Sequence, residues 1–233
     1  MLISGIQPFT LLDYPNKTSC IVFVPGCNFR CGYCHNPEFV LPERLKLLQK
    51  DFINEDALFN FLLQRRELLD GVVISGGEPT LAPDLIPFMQ KIRRLGFSIK
   101  LDTNGNRPEI ISKALEERVV DYIAMDVKAS LEGYRDLVGP LIKPDNIQKS
   151  IELIKNSSIH YEFRSTLLKE VHSAIMLEKM ANLIKGARHW FLQKFRPENT
   201  LSPLFANYNS FSDQELADIA EHFRDRVNRI SIR

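Results

Sequence analysis

Cysteine is scarce in this chain of 233 residues: there are four. That is too few to staple a fold of this length, so no disulfide framework is expected. An excess of charge of either sign is missing too. Thirty basic against 29 acidic side chains leave a formal charge of +1, so no broad field advertises a nucleic acid or an anionic membrane as partner. No uninterrupted apolar run approaches the length of a spanning helix, and no basic segment followed by an apolar one opens the chain. The expectation is a soluble, cytoplasmic protein. Repeats, low-complexity tracts and linkers are also lacking, while 44% hydrophobic content supplies material for one core. Residues 1–233 are therefore read as a single domain.

What is present is placed unevenly. Cys27, Cys31 and Cys34 fall within the stretch "FVPGCNFRCGYCHNPEFV", residues 23–40, and His35 follows at once. The fourth cysteine, Cys20, lies inside "SCIVFV", an apolar strand where a free thiol acts as a small hydrophobe. In a reducing compartment, clustered thiols suit metal ligation or redox work better than a disulfide.

After an N-terminal segment that reads as a hairpin, short apolar runs alternate with helix-period segments. "GVVIS" (71–75), "FSIKLD" (97–102), "VDYIAMDV" (120–127), "HYEFRSTL" (160–167) and "HWFLQKF" (189–195) have the β-branched and aromatic content of buried strands. Between them, segments such as "NEDALFNFLLQRRELL" and "PDLIPFMQKIRRLG" space apolar residues three and four apart, as amphipathic helices do. Asn54 is placed to cap the first, and Gly96 and Gly186 to end two others. Such alternation implies parallel strands joined by right-handed crossovers. With "SCIVFV" there are six strands; "VNRISIR", after a last helix at about 212–226, offers another. The count favours a partial (β/α) barrel over a closed one, with an open doubly wound sheet as the alternative. The stretch at 196–210 reads as an irregular loop and the most mobile one. Trp190 and the fifteen phenylalanines read as core, and His160, His172, His189 and His222 as surface or packing residues.

In parallel α/β folds the reactive loops follow the carboxyl ends of strands. Here those ends carry the cysteine cluster, "SGGEPT" (75–80), "DTNG" (102–105) and "MDVK" (125–128), with Arg164, Gln193 and Lys194 inside the last two strands. Charged groups in apolar strands are costly to bury unpaired, which points to one shared pocket with a charged occupant. Three thiolates spaced C-x3-C-x2-C suit zinc or an iron-sulfur cluster. Zinc wants a fourth ligand, and His35, adjacent to Cys34, turns inward with difficulty. A cubane cluster is usually held by four cysteines, so three leave one iron open to substrate. Gly76 and Gly77 permit close backbone approach, and Glu78 offers an acceptor for an ammonium group. Taken singly, each of these motifs is equally readable as an ordinary turn.

Taken together, C-x3-C-x2-C with Tyr33 before the last cysteine, then Gly76-Gly77-Glu78-Pro79 one strand later, resemble the radical S-adenosylmethionine (SAM) superfamily over about residues 5–195. Within it, "GCNFRCGYCHNP", "LLDYP" and "FLQKFRP" resemble the activating enzymes of glycyl-radical enzymes, above all those of anaerobic ribonucleoside-triphosphate reductase. The resemblance implies an α/β fold, a partial (β/α)6 TIM-like barrel with an N-terminal hairpin extension. It implies a 4Fe-4S cluster on Cys27, Cys31 and Cys34 whose fourth iron is chelated by SAM. Reductive cleavage of SAM would give methionine and a 5'-deoxyadenosyl radical that abstracts one hydrogen atom. The implied partners are a glycyl-radical enzyme and a flavodoxin- or ferredoxin-like electron donor.

By the same resemblance Tyr33 packs near the adenine, and Gly76, Gly77 and Glu78 meet the methionine amino end. Asp102, Thr103 and Asp126 match residues that surround a monovalent cation in the pyruvate formate-lyase activating enzyme, and Lys128 and Arg164 match residues near the methionine carboxylate or ribose. The chain departs from the pattern in three places. "FLQKF" has no histidine where that enzyme has one on the sixth strand, which leaves Gln193 and Lys194 without assigned roles. "DYPN" lacks the glycine that relatives carry after the proline. No cysteines are available for a second cluster. A compact small-molecule enzyme resembling 7-carboxy-7-deazaguanine synthase, and a zinc-stabilised binding module, are the competing readings.

Overall fold

The computed structural model describes residues 1–233, built on an eight-stranded sheet in which neighbours in sequence are neighbours in space. Strand β1 (Gly5–Thr10) runs antiparallel to β2 (Ser19–Val24). From β2 onward every pairing is parallel, through β3 (Gly71–Gly76), β4 (Ser98–Thr103), β5 (Tyr122–Asp126), β6 (His160–Leu167), β7 (Trp190–Lys194) and β8 (Ile230–Ile232). Helices α1 (Pro42–Leu48) and α2 (Glu55–Gln64) lie between β2 and β3, and α3 (Leu85–Arg94) and α4 (Pro108–Glu116) complete the next two crossovers. Then α5 (Tyr134–Val138) and α6 (Pro144–Asn156) precede β6, α7 (Ala174–Leu183) precedes β7, and α8 (Asp213–His222) precedes β8. Strands β2–β7 form the partial six-stranded barrel, β1 adds the N-terminal hairpin and β8 extends the other edge. The two edge strands do not pair, so the barrel stays open along one side.

The expected strands are all present, shifted by at most two residues at their ends, except that "VNRISIR" is a strand only over Ile230–Ile232. Their apolar runs are buried on both faces, as parallel strands covered by helices must be: Val72, Val73 and Ile74 are fully buried. The longer crossover helices present one stripe inward, such as Leu85, Phe88, Met89 and Ile92 on α3. Burying one such side chain contributes about 1.5–3 kcal/mol. Helix ends follow the local chemistry. The Asn54 side chain accepts the Asp56 N–H (2.8 Å) at the start of α2, and Ser212 forms a reciprocal capping box with Glu215 on α8. Gly96 and Gly186 sit at φ +92° and +78° beyond α3 and α7, where a residue with a Cβ is strained.

Some expectations need correcting. Helix α8 ends at His222, short of residue 226, and the short helices α1 and α5 carry too little periodicity to be read in advance. Phe9 is exposed, so not every phenylalanine is core, whereas Trp190 is fully buried and donates its indole N–H to Ser165 Oγ (2.9 Å). The stretch at 196–210 is irregular apart from a 3-10 turn at Pro203–Asn207, yet it is tied down. Ser202 N–H donates to Gly32 O (2.9 Å), and the Phe205 ring lies over Tyr33 with centroids 6.0 Å apart.

One face of the sheet is concave and polar. Arg164 on β6 reaches across β5 to Asp102 on β4 (3.2 Å), a contact that a flat sheet would not allow. Side chains two apart share a face, so Lys100 joins Asp102 and Glu162 joins Arg164 inside the barrel.

Candidate active site

A cavity of about 550 Å³ opens at the carboxyl ends of the strands. It is bordered by every residue the sequence singled out: Cys27, Cys31 and Cys34; Tyr33; Gly76, Gly77 and Glu78; Asp102 and Thr103; Asp126 and Lys128; and Arg164. A larger groove of about 960 Å³ lies between α4 and α6, beside Asp121 and Ile159 at the opposite ends of the strands. None of these residues borders it, and the chemistry of such folds belongs to the carboxyl ends.

The cysteines sit on the loop after β2. Phe29 N–H donates to Cys27 Sγ (3.3 Å), and the Asn104 amide approaches the same sulfur at 3.9 Å. Burial pushes Cys27 up to about 12, reinforced by Glu78 and by the other two thiols; burial likewise lifts Cys31 to about 11 and raises Cys34. Three crowded, half-buried to buried thiols ionise readily only when a metal centre supplies the compensating charge. Three soft thiolates on one loop suit an iron-sulfur group, while zinc would need a fourth ligand. Tyr33 adds an independent sign of a missing group: it is buried against Phe205, borders the cavity, and its hydroxyl has no hydrogen-bond partner. Soft donors, N–H groups aimed at sulfur and an orphaned hydroxyl fit a cluster with a bound nucleotide. His35 borders the cavity and stacks on Phe195, with Nε2 2.9 Å from Arg196 O.

The glycines have a packing reason as well. Gly76 holds φ +115°, and a Cβ on it would lie 2.4 Å from Val24 N; one on Gly77 would lie 2.0 Å from Gly26 O. The β3 turn is thus pressed against the cysteine loop at a distance only glycine allows. Glu78 has a job that sequence reading did not foresee. Its carboxylate is buried and accepts from Thr80 N–H and Oγ1, from Thr103 Oγ1 (2.8 Å) and from Asn104 N–H (2.6 Å). It staples the β3 and β4 turns together, so an incoming ammonium group would find only what Oε2 has left and the nearby Gly76 carbonyl. Burial raises its pKa against those four donors.

Below the cysteines lies a charged chain. Lys128 Nζ pairs with Asp126 Oδ2 (3.0 Å), Arg164 Nε with Asp126 Oδ1 (2.9 Å), Arg164 Nη1 with Asp102 Oδ2 (3.2 Å), and Lys100 Nζ with Asp102 Oδ1 (2.5 Å). Ser75 Oγ also donates to Asp102 (3.1 Å). Burial opposes the charged form of Asp126, but Arg164 and Lys128 outweigh it and hold the carboxyl down to about 2; Asp102 is lowered in the same way by Arg164 and Lys100. The monovalent-cation expectation meets a difficulty here. Each oxygen of Asp102 and Asp126 already faces a cationic side chain, and Thr103 Oγ1 donates to Glu78 and accepts Gly105 N–H (3.2 Å).

Gln193 and Lys194 both border the cavity, and Lys194 Nζ pairs with Asp213 (2.7 Å). Sequence reading missed four contributors. Lys100 and Glu162 stand two residues before Asp102 and Arg164 on the same strand faces, and that spacing was the available signal. Asn104 belongs to "DTNG" and was read as a turn former. His172, fully buried, accepts Leu168 N–H at Nδ1 (3.0 Å) and donates from Nε2 to Lys128 O (3.1 Å), fixing the backbone that carries Lys128; nothing in sequence marks it.

Comparison with known proteins bears on the family and the fold. The family described as the radical SAM superfamily matches residues 21–181. A Methanocaldococcus jannaschii protein named as a glycyl-radical enzyme activating enzyme is 32% identical, over 100% of this chain and 95% of its own length. The pyruvate formate-lyase-activating enzyme of Clostridium pasteurianum is 28% identical, over 98% of this chain and 94% of its own. Among solved structures, Streptococcus suis SuiB bound to S-adenosylmethionine superposes with a TM-score of 0.61 at 16% identity, covering 91% of this chain and 51% of that one, a likeness of fold.

Proposed function

The chain belongs to the radical SAM superfamily, and on that premise we propose that it is an activating enzyme that installs a glycyl radical on a protein partner such as anaerobic ribonucleoside-triphosphate reductase. The observation that carries this reading is the meeting of Cys27, Cys31 and Cys34 with the ends of β3, β4, β5 and β6 around one cavity. In this reading Cys27, Cys31 and Cys34 would hold a 4Fe-4S cluster beside bound SAM, and the pair would supply one-electron cleavage of the sulfonium carbon–sulfur bond.

The residues then have definable tasks. Tyr33 offers its ring to the adenine and its unpartnered hydroxyl to a polar group of the nucleotide. Lys128 and Arg164, both fixed by Asp126, present cationic groups to the carboxylate of the methionine moiety. Gly76 and Gly77 let the backbone approach the amino end. The 196–210 segment, with Phe205 on Tyr33, shields that side from water, which keeps a reactive carbon from meeting the wrong hydrogen donor. The unpaired edges β1 and β8 leave a lateral gap through which a partner's peptide loop enters. A flavodoxin- or ferredoxin-like donor supplies the electron.

The test is anaerobic reconstitution with iron and sulfide, followed by reductant and SAM. Release of 5'-deoxyadenosine and a glycine-centred paramagnetic signal on a candidate partner are expected. Turnover of a free metabolite without that signal would move the protein to the small-molecule enzymes, and zinc in place of iron would remove it from radical chemistry.

A further inference from the structure

Lys100 is 1% exposed, in the interior of the barrel, with its ammonium on Asp102 Oδ1 and 5.9 Å from the centroid of the Tyr122 ring. A lysine is rarely buried so completely without a task. Asp102 is the floor of the cavity, and its other oxygen is taken by Arg164 and Ser75. Asp102 meets Lys100 on one oxygen and Arg164 on the other, Asp126 meets Arg164 and Lys128 in the same way, and the buried Glu162 beside Arg164 is paired with Arg233. A further cation at either aspartate would stand next to two side-chain cations in a medium of low dielectric. It would also find few oxygens without a partner, since hard cations take six or more ligands, all four aspartate oxygens already meet a cationic side chain and Thr103 Oγ1 accepts Gly105 N–H (3.2 Å).

We infer that the Lys100 ammonium is a built-in counter-ion that occupies the role of an exchangeable monovalent cation at this site. It holds Asp102 in place from below, so that Arg164 and, through Asp126, Lys128 keep their orientation toward the cavity. Lys100 is on this account a positioning residue, not one that touches substrate. The inference rests on the functional reading only for what the site binds; the charge arrangement itself is a property of the polypeptide.

The deciding experiment needs no cluster. The melting midpoint of the metal-free protein is measured in sodium, potassium and choline chloride at equal ionic strength. The expected result is one midpoint for the wild type in all three. A rise specific to sodium or potassium overturns the inference. Lys100→Met, which keeps the stem and removes the charge, should melt lower in choline and regain stability in one of the alkali salts; indifference to salt in this variant also overturns the inference. Should Lys100→Met fail to fold, the wild-type comparison decides alone. On reconstituted protein, SAM affinity should vary less than twofold among the same salts, and a tenfold dependence would count against the inference. Absence of SAM binding in every salt would instead indict the functional reading and leave the melting result standing.

Discussion

At the scale of single residues, the thiols and their neighbours allow sharp tests. Cys31→Ala should lose most of the iron taken up on reconstitution while the far-ultraviolet spectrum and melting midpoint stay near wild type, because alanine keeps the Cβ and removes one sulfur from a loop outside the strands and helices; iron content is the measurement. Asn104 is the one side-chain donor on a cysteine sulfur, and its amide is locked in orientation because Oδ1 accepts Asn106 N–H (3.0 Å) while Nδ2 faces Asn28 Oδ1 (2.8 Å) and Cys27. Hydrogen bonds to a ligating sulfur favour the reduced, more negative cluster. Asn104→Ala should therefore lower the midpoint potential seen in a redox titration, with iron content unchanged. His172 gives a pH signature. Burial lowers its pKa below the ordinary 6.5, against the pull of its bonds to Lys128 and Leu168. The unfolded chain then binds the proton more readily, so stability is complete above pH 6.5 and declines as the pH falls below it. Denaturant midpoints at pH 7.5 and 5.5 should differ by more in the wild type than in His172→Gln.

At the scale of elements, the β3 turn is the tightest joint in the molecule. Gly77→Ala drives a methyl into Gly26 O and must part the turn from the cysteine loop; a loss of about 1–3 kcal/mol is expected from overpacking, read by chemical denaturation. The strands were legible because their runs are continuous and apolar, and the motif residues because strand ends of a parallel sheet collect in space. What escaped notice is instructive. "SIKLD" and "EFR" each place a second charge two positions before the recognised one, and only a curved sheet brings those four side chains onto one concave face. Helix α1 has no buried residue and so no periodic signal, and α5 is a single short turn sealed by Tyr134 and Val138. The commitment of Glu78 to the turn was unreadable because its donors, Thr103 and Asn104, come from the next strand.

At the scale of the whole molecule, the open barrel is tied at its late edge by a reach across β7. Arg233 pairs with the fully buried Glu162 (3.0 Å) on β6 and lies over the Phe191 ring, 3.5 Å from its centroid, while Tyr122 donates its hydroxyl to Glu162 from β5 (2.7 Å). Removing one partner of a buried charge strands the other. Arg233→Ala should thus cost about 1–3 kcal/mol in a thermal or denaturant unfolding measurement, while Glu162→Gln combined with it should recover part of the loss. The consecutive strand order also bears on how the chain comes into being. Each strand docks on the one made just before it, so a nascent polypeptide leaving the ribosome can assemble the sheet vectorially, without waiting for a distant segment to be translated. Arg164 stands on β6, four strands after the thiol loop that follows β2, so that loop is synthesised well before the charged floor beneath it is complete.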